Sequence, residues 1–220
     1  MNQALFIRNP ENSVLGKNII QYSIKLIHEN GFESFTFKKL AASIGTTEAG
    51  IYRYFENKHK LLLYISSCYW QLIHLQINHI LSLKIKSKKK LEGAIEIMVS
   101  AKGIDCNYSY LNVSLLHQIV ISEGSKTYLT KHVDSDNRQR FFKPYKELCA
   151  SFALIISENN PSYKYPKSLS STIIEMAHYQ NYFMNKLPSL TDFAHQSEKN
   201  ILDFLNDLAF KSIGIAKNKI

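Results

Sequence analysis

Residues 36 to 55 read TFKKLAASIGTTEAGIYRYF, two short helical stretches on either side of one glycine. Thr36 suits an N-cap, and Phe37, Leu40, Ala41 and Ile44 follow at the i, i+3, i+4, i+7 spacing of a single buried stripe. Gly45 stops that helix. Thr47 then suits a second N-cap, for a helix to about Phe55 in which Ile51 and Phe55 form an inward i, i+4 pair. Helices of two turns are marginal in water, so these two must be held by packing against longer neighbours. That requirement restricts the surroundings to a small helical module.

The neighbours are present. Ser13 to Asn30 places Ile19, Ile20, Ser23, Ile24 and Ile27 on one face and ends at Gly31. Asn57 can cap a longer helix from Lys58 to about Leu81, in which Leu61, Ile65, Cys68, Leu72, Gln76 and Ile80 recur near the helical period. At 1.5 Å per residue it spans roughly 36 Å and leaves the first module. Further helices are expected near 88–101, 107–122, 126–142, 144–159, 168–187 and 192–213, with Pro144 at a helix start or kink, a loop from Asn159 to Pro166, and Pro188 ending the penultimate helix. No series of alternating strands interrupts them. The basic run KIKSKKK, 84–90, reads as a solvated connector, because the long helix carries it away from the short-helix module.

Composition narrows the class of function. A chain of 220 residues with 45% hydrophobic and 20% charged residues folds around a substantial core. Its net charge of +9 is compatible with a nucleic acid or an anionic surface as partner. Cys68, Cys106 and Cys149 are odd in number and widely spaced, which fits buried thiols in a reducing compartment better than a disulfide framework or a zinc site. The start MNQALFIRNPENS lacks a secretory pattern, and no segment offers about 18 uncharged apolar residues, so a cytoplasmic chain is expected. The histidines form no metal pattern: His74 and His79 are five apart, on different helix faces. No P-loop, GxGxxG turn or GxSxG elbow occurs, and neither a catalytic constellation, a metal nor a cofactor is expected.

Two short helices joined through a glycine make a helix-turn-helix, in which the first crosses the DNA backbone and the second enters the major groove. Small residues then have a use, since Ala49 and Gly50 let the helix backbone approach bases. Tyr52 and Tyr54 can offer hydroxyls to phosphates, and Lys58 stands at the start of the fourth helix, where backbone N–H groups also favour an anion. Arg53 can reach a guanine or a phosphate, or cover the helix surface. Glu48 can accept from cytosine N4 or serve as an acid favourable to a helix N-terminus.

The stretch 36–62 resembles the TetR family of bacterial transcriptional regulators. The matching positions are Thr36, Leu40-Ala41, Gly45, Tyr52-Arg53-Tyr54-Phe55, Lys58 and Leu61. The resemblance covers roughly residues 14 to 65. It implies an all-α protein: an N-terminal three-helix helix-turn-helix DNA-binding head, residues 1–60, on a larger helical effector-binding and dimerisation body, 61–220. It also implies DNA contacts at Thr36, Lys38, Thr47, Glu48, Ala49, Gly50, Tyr52, Tyr54 and Lys58, to which Arg53 is added from its place in the segment. Thr46 stands where a valine is usual, Glu48 where a lysine or other polar residue is frequent, and Gly50 where threonine or serine is common, so no operator sequence carries over. The function expected is that of a ligand-responsive regulator, a repressor reading a palindromic operator as a homodimer paired through its two C-terminal helices, whose apolar positions (Leu169, Ile173, Met176, Tyr179 and Phe183, then Ile201, Leu202, Leu205, Leu208 and Ala209) make amphipathic stripes. The aromatics of the body (Tyr69, Trp70, Tyr108, Tyr110, Phe141, Phe142, Tyr145, Phe152, Tyr179, Tyr182 and Phe183) serve core, dimer interface or a pocket for a small hydrophobic or aromatic effector. The alternative is an all-helical small-molecule or lipid carrier, or an enzyme, whose N-terminal module is only structural.

Overall fold

Ser13 turns the chain into the first helix: its hydroxyl accepts from the Gly16 amide at 3.0 Å, and α1 follows over Val14–Ser34. In the computed structural model, which describes residues 1–100 and 110–214, every regular element is helical. Cys106, Tyr108 and the start of the helix expected from 107 lie outside the described residues. Within α1, Gly31 takes φ 75° and ψ 159°, so the regular helix breaks where a glycine was expected to end it and residues 32–34 form a further turn. Ile19, Ile20, Ser23, Ile24 and Ile27 are buried together on its inner face.

The next helix, α2, occupies Phe37–Ile44; the Thr36 hydroxyl caps the Lys39 amide at 3.2 Å. Gly45 ends it at φ 76°, the left-handed conformation that a Cβ would strain, with its N–H on the Ala41 carbonyl at 3.0 Å. After Thr47, whose side chain accepts from Gly50 N at 3.2 Å, α3 runs only over Glu48–Tyr52. The expected extension to Phe55 is replaced by a tight turn, in which the Tyr54 amide donates to Ile51 O at 2.8 Å and Tyr54 and Phe55 turn into the core. Asn57 accepts from the Lys60 amide at 2.9 Å and opens α4, Lys58–Ser82.

Beyond it stand α5 (Ser87–Ser100), α6 (Val113–Glu123), α7 (Val133–Arg138), α8 (Lys143–Asn159), α9 (Pro166–Lys186) and α10 (Glu198–Ser212). The single helix expected over 126–142 is instead a 3-10 turn at Gly124–Thr127 and the short α7. Its sequence, rich in Ser, Thr, Asp and Asn, carries no continuous apolar stripe and competes for its own backbone. The last helix starts at Glu198 rather than near 192, after turns that include His195 at φ 56°.

The described chain divides into two compact units. One holds residues 1–70 with 110–144, the other 71–100 with 145–214. The head expected over 1–60 lies within the first, together with α6 and α7. There α1 packs on α6, the His59 ring meets Asp136 at 3.1 Å, and Lys60 Nζ stands 4.4 Å from the Phe141 ring centroid. In the second unit α5, α9 and α10 pack on one another through Leu91, Ile95, Met98, Ile173, Ala177, Ile201, Leu205 and Ala209. The Asn181 amide donates to the Val99 carbonyl at 3.2 Å inside that core. The basic run is tied to this unit. Lys90 Nζ donates to Leu81 O and pairs with Glu158, and Lys88 lies over the Phe210 ring.

Candidate nucleic-acid interface

The outer surface of α2 and α3 is polar over an apolar floor. Phe37, Leu40, Ala41 and Ile51 point inward and are buried, while Thr36, Lys38, Thr47, Glu48, Ala49 and Arg53 are exposed. The Tyr52 ring packs edge-on against Phe37, centroids 5.0 Å apart, and still leaves 49% of the residue exposed. That contact sets the start of α2, with Thr36 and Lys38, beside the end of α3, with Tyr52 and Arg53. Seven of the ten residues singled out in the sequence are exposed on these two helices and their flanking caps. A face with two cations, two hydroxyls and a phenol over packed hydrophobes can form hydrogen bonds and ion pairs with phosphates and base edges.

Three of the ten are placed differently. Gly50 is half-buried, and a Cβ there would stand 2.9 Å from the Thr46 hydroxyl, so the absence of a side chain also makes room for an intramolecular neighbour. Tyr54 is 3% exposed; its hydroxyl shares a 2.8 Å hydrogen bond with Ser13 Oγ. Lys58 does not extend outward. Its ammonium lies 3.1, 3.3 and 3.5 Å from the carbonyl oxygens of Phe32, Glu33 and Phe35, and 4.6 Å from the Phe32 ring centroid. Here the fourth helix's first residue closes the end of the first helix. Local spacing could not reveal that, because the partners are 23 to 26 residues upstream.

A cation that the sequence pattern passed over stands nearby. Arg8 is exposed, with its guanidinium carbon 5.5 Å from the Tyr54 ring centroid. The only sequence cue was local, an Asn-Pro turn at 9–10 that brings residues 1–8 back toward the head.

Among the described residues no group of three or more His, Cys, Asp or Glu side chains is placed to hold one metal ion, and no helix is long and apolar enough to cross a membrane. The sequence of residues 19–65 matches the family described as bacterial regulatory proteins, tetR family. Among solved structures, a bacterial regulatory protein in the tetR family from Rhodococcus RHA1 is similar over 93% of this chain and 100% of its own, with TM-score 0.67 and 14% identity. AibR in complex with isovaleryl coenzyme A and operator DNA is similar over 86% of this chain and 95% of its own, with TM-score 0.59 and 16% identity. The fatty acid degradation regulator FadR from Bacillus halodurans is similar over 90% of this chain and 98% of its own, with TM-score 0.59 and 15% identity. At these identities the likeness is one of fold. No protein of curated function matches the chain by sequence.

Proposed function

From the match of residues 19–65 to the tetR family of bacterial regulatory proteins, we propose that the chain is a ligand-responsive transcriptional repressor. As a homodimer in the cytoplasm it reads a palindromic operator through paired α3 helices. The observation that carries this reading is the exposed polar face of α2 and α3, with Lys38, Tyr52 and Arg53 uncovered above buried Phe37 and Ile51. In this proposal Thr36, Lys38, Tyr52 and Arg53 meet phosphates, while Thr47, Glu48, Ala49 and Gly50 lie toward base edges. Tyr54 and Lys58 support that surface from within.

The effector belongs in the helical body, as a small hydrophobic or aromatic molecule. The aromatic content of residues 69–183 supports this, as does a neighbour of the same fold solved with both isovaleryl coenzyme A and operator DNA. Effector binding then shifts the spacing of the two heads relative to half-sites about one helical turn apart.

Selection of bound fragments from genomic DNA tests the reading. The expected result is an inverted repeat with half-sites about 10 base pairs apart, centre to centre. Repeating the selection with Glu48→Ala examines base reading. Loss of the acid removes phosphate repulsion and any contact to cytosine N4, so binding to random DNA should tighten and preference should flatten at one base pair per half-site, by about 1–3 kcal/mol. No enrichment by the unaltered protein would defeat the proposed function. An unchanged motif with Glu48→Ala would assign Glu48 to the helix start alone.

A further inference from the structure

The segment before α1 is tied to the head on both sides of one exposed arginine. On one side Leu5 is buried, the Phe6 ring meets Tyr64 edge-on at 6.1 Å, and Lys60 Nζ donates to the Ala4 carbonyl at 2.9 Å. On the other, Asn9 accepts from the Glu11 amide at 2.9 Å, and Pro10 presses on α1 so closely that a Cβ at Gly16 would collide with the Pro10 backbone. Between these anchors the Ile7 amide donates to the Tyr54 carbonyl at 2.8 Å. The backbone at Arg8 is thus set before any ligand arrives.

Its side chain has no comparable engagement. Among the described residues the guanidinium lies over the Tyr54 ring and makes no hydrogen bond or ion pair. Glu11, the acid nearest in sequence, instead accepts from the Tyr64 hydroxyl at 3.1 Å. The ring beneath Arg8 belongs to the residue that follows Arg53 and lies two beyond Tyr52.

We propose that Arg8 binds a phosphate of the DNA backbone, so that the arm before α1 extends the contact surface past the end of α3. The inference rests on the regulator reading above. A guanidinium presents a planar fork of N–H donors that matches two phosphate oxygens, and stacking on an aromatic ring keeps that fork oriented. Because the arm is already ordered, binding loses little of its conformational freedom. If the arm were only a cover for Tyr54, neutralising Arg8 would leave the salt dependence of DNA binding unaltered.

The full chain and its Arg8→Gln and Arg8→Lys variants are titrated by fluorescence anisotropy against a random-sequence duplex of about 30 base pairs, over about 50 to 200 mM salt. Arg8→Gln is expected to bind severalfold more weakly, with the slope of log K against log salt shallower by about 0.9 for each contact removed. Arg8→Lys should keep the slope, and both variants should melt with the parent protein. Lys167→Gln, an exposed neutralisation on α9, controls for net charge and should change the slope less than Arg8→Gln. Arg8→Gln binding with unaltered affinity and slope overturns the inference while the regulator reading stands. The same holds for a lowered melting temperature with unaltered slope, or an equal effect of Lys167→Gln. Absence of DNA binding by the unaltered chain overturns both.

Discussion

A lysine ammonium carries three hydrogens, and Lys58 directs them toward the carbonyls of Phe32, Glu33 and Phe35. The end of a helix leaves carbonyls without intrahelical partners, and the break at Gly31 adds to them. Lys58 meets that need from a different helix, while its charge rests against the Phe32 ring. Phe32 O also accepts from the Phe35 amide at 3.3 Å, so Lys58→Ala should lower stability by about 1–3 kcal/mol through the Glu33 and Phe35 carbonyls that lose their donor. Thermal melting would register several degrees. In DNA titrations the salt slope should stay as it was, whereas a slope shallower by about 0.9 per contact would place this lysine on a phosphate after all. Residue by residue, legibility followed distance along the chain. Thr36, Thr47 and Asn57 were readable as caps because each acts on an amide three positions ahead. The inward positions of α2 and α3 were readable from period, whereas the outward contact residues were named from the family resemblance. The tasks of Lys58 and Tyr54 were not, since their partners come from the two ends of α1, and composition could not place Arg8 at all.

Among elements, the least predictable junction joins the end of α1 to the end of α6. Glu123 is 8% exposed; one carboxylate oxygen accepts from the Phe32 amide at 3.1 Å and the other pairs with Lys126 at 2.8 Å. Lys126 also reaches Glu33 at 3.0 Å. Its pairing with Glu123 outweighs burial, and with Glu33 holds the ammonium above its usual pKa. A raised folded-state value means that this contribution is complete below about pH 10.5 and is lost as pH rises through the raised value. Glu123→Ala leaves the Phe32 amide without its acceptor, while Glu123→Gln preserves an oxygen there and removes only the charge. The alanine variant should be the less stable by about 1–3 kcal/mol, with faster hydrogen exchange at the Phe32 amide. Equal exchange in the two variants would show that the carboxylate contributes charge alone. Sequence periodicity placed α2, α4, α8 and α9 closely, since each has a clear cap, a proline or a sustained apolar stripe. It merged the Gly124–Thr127 turn with α7, where polar residues offered no stripe to follow.

At the scale of the whole chain, the grouping of 110–144 with the N-terminal head was invisible in the sequence, because the ties are long. Asn2 donates to the Gln139 carbonyl across 137 positions, and His59 meets Asp136 across 77. The amphipathic character of α9 and α10 was readable, and the structure separates their buried faces from the apolar residues left at the surface. On α9, Met176, Tyr179 and Phe183 remain half-exposed, the last two stacked at 6.0 Å. On α10, Phe204 is 39% exposed beside Phe193, with Leu202 and Leu208 also half-exposed. Such residues fit a self-complementary contact around a two-fold axis, where each side chain meets the partner copy of the same patch. A stable contact of that kind covers about 800 Å² per protomer, more than one aromatic pair supplies, so both helices must take part. Light scattering at micromolar protein should give twice the 25.3 kDa chain mass. Phe183→Glu introduces two like charges into a two-fold contact and should give monomers that keep their helical content. Those monomers should lose affinity for a selected operator more than for random DNA, because only a dimer spans two half-sites. A monomeric unaltered chain, or a Phe183→Glu chain that remains dimeric with operator affinity intact, would remove α9 from the proposed assembly.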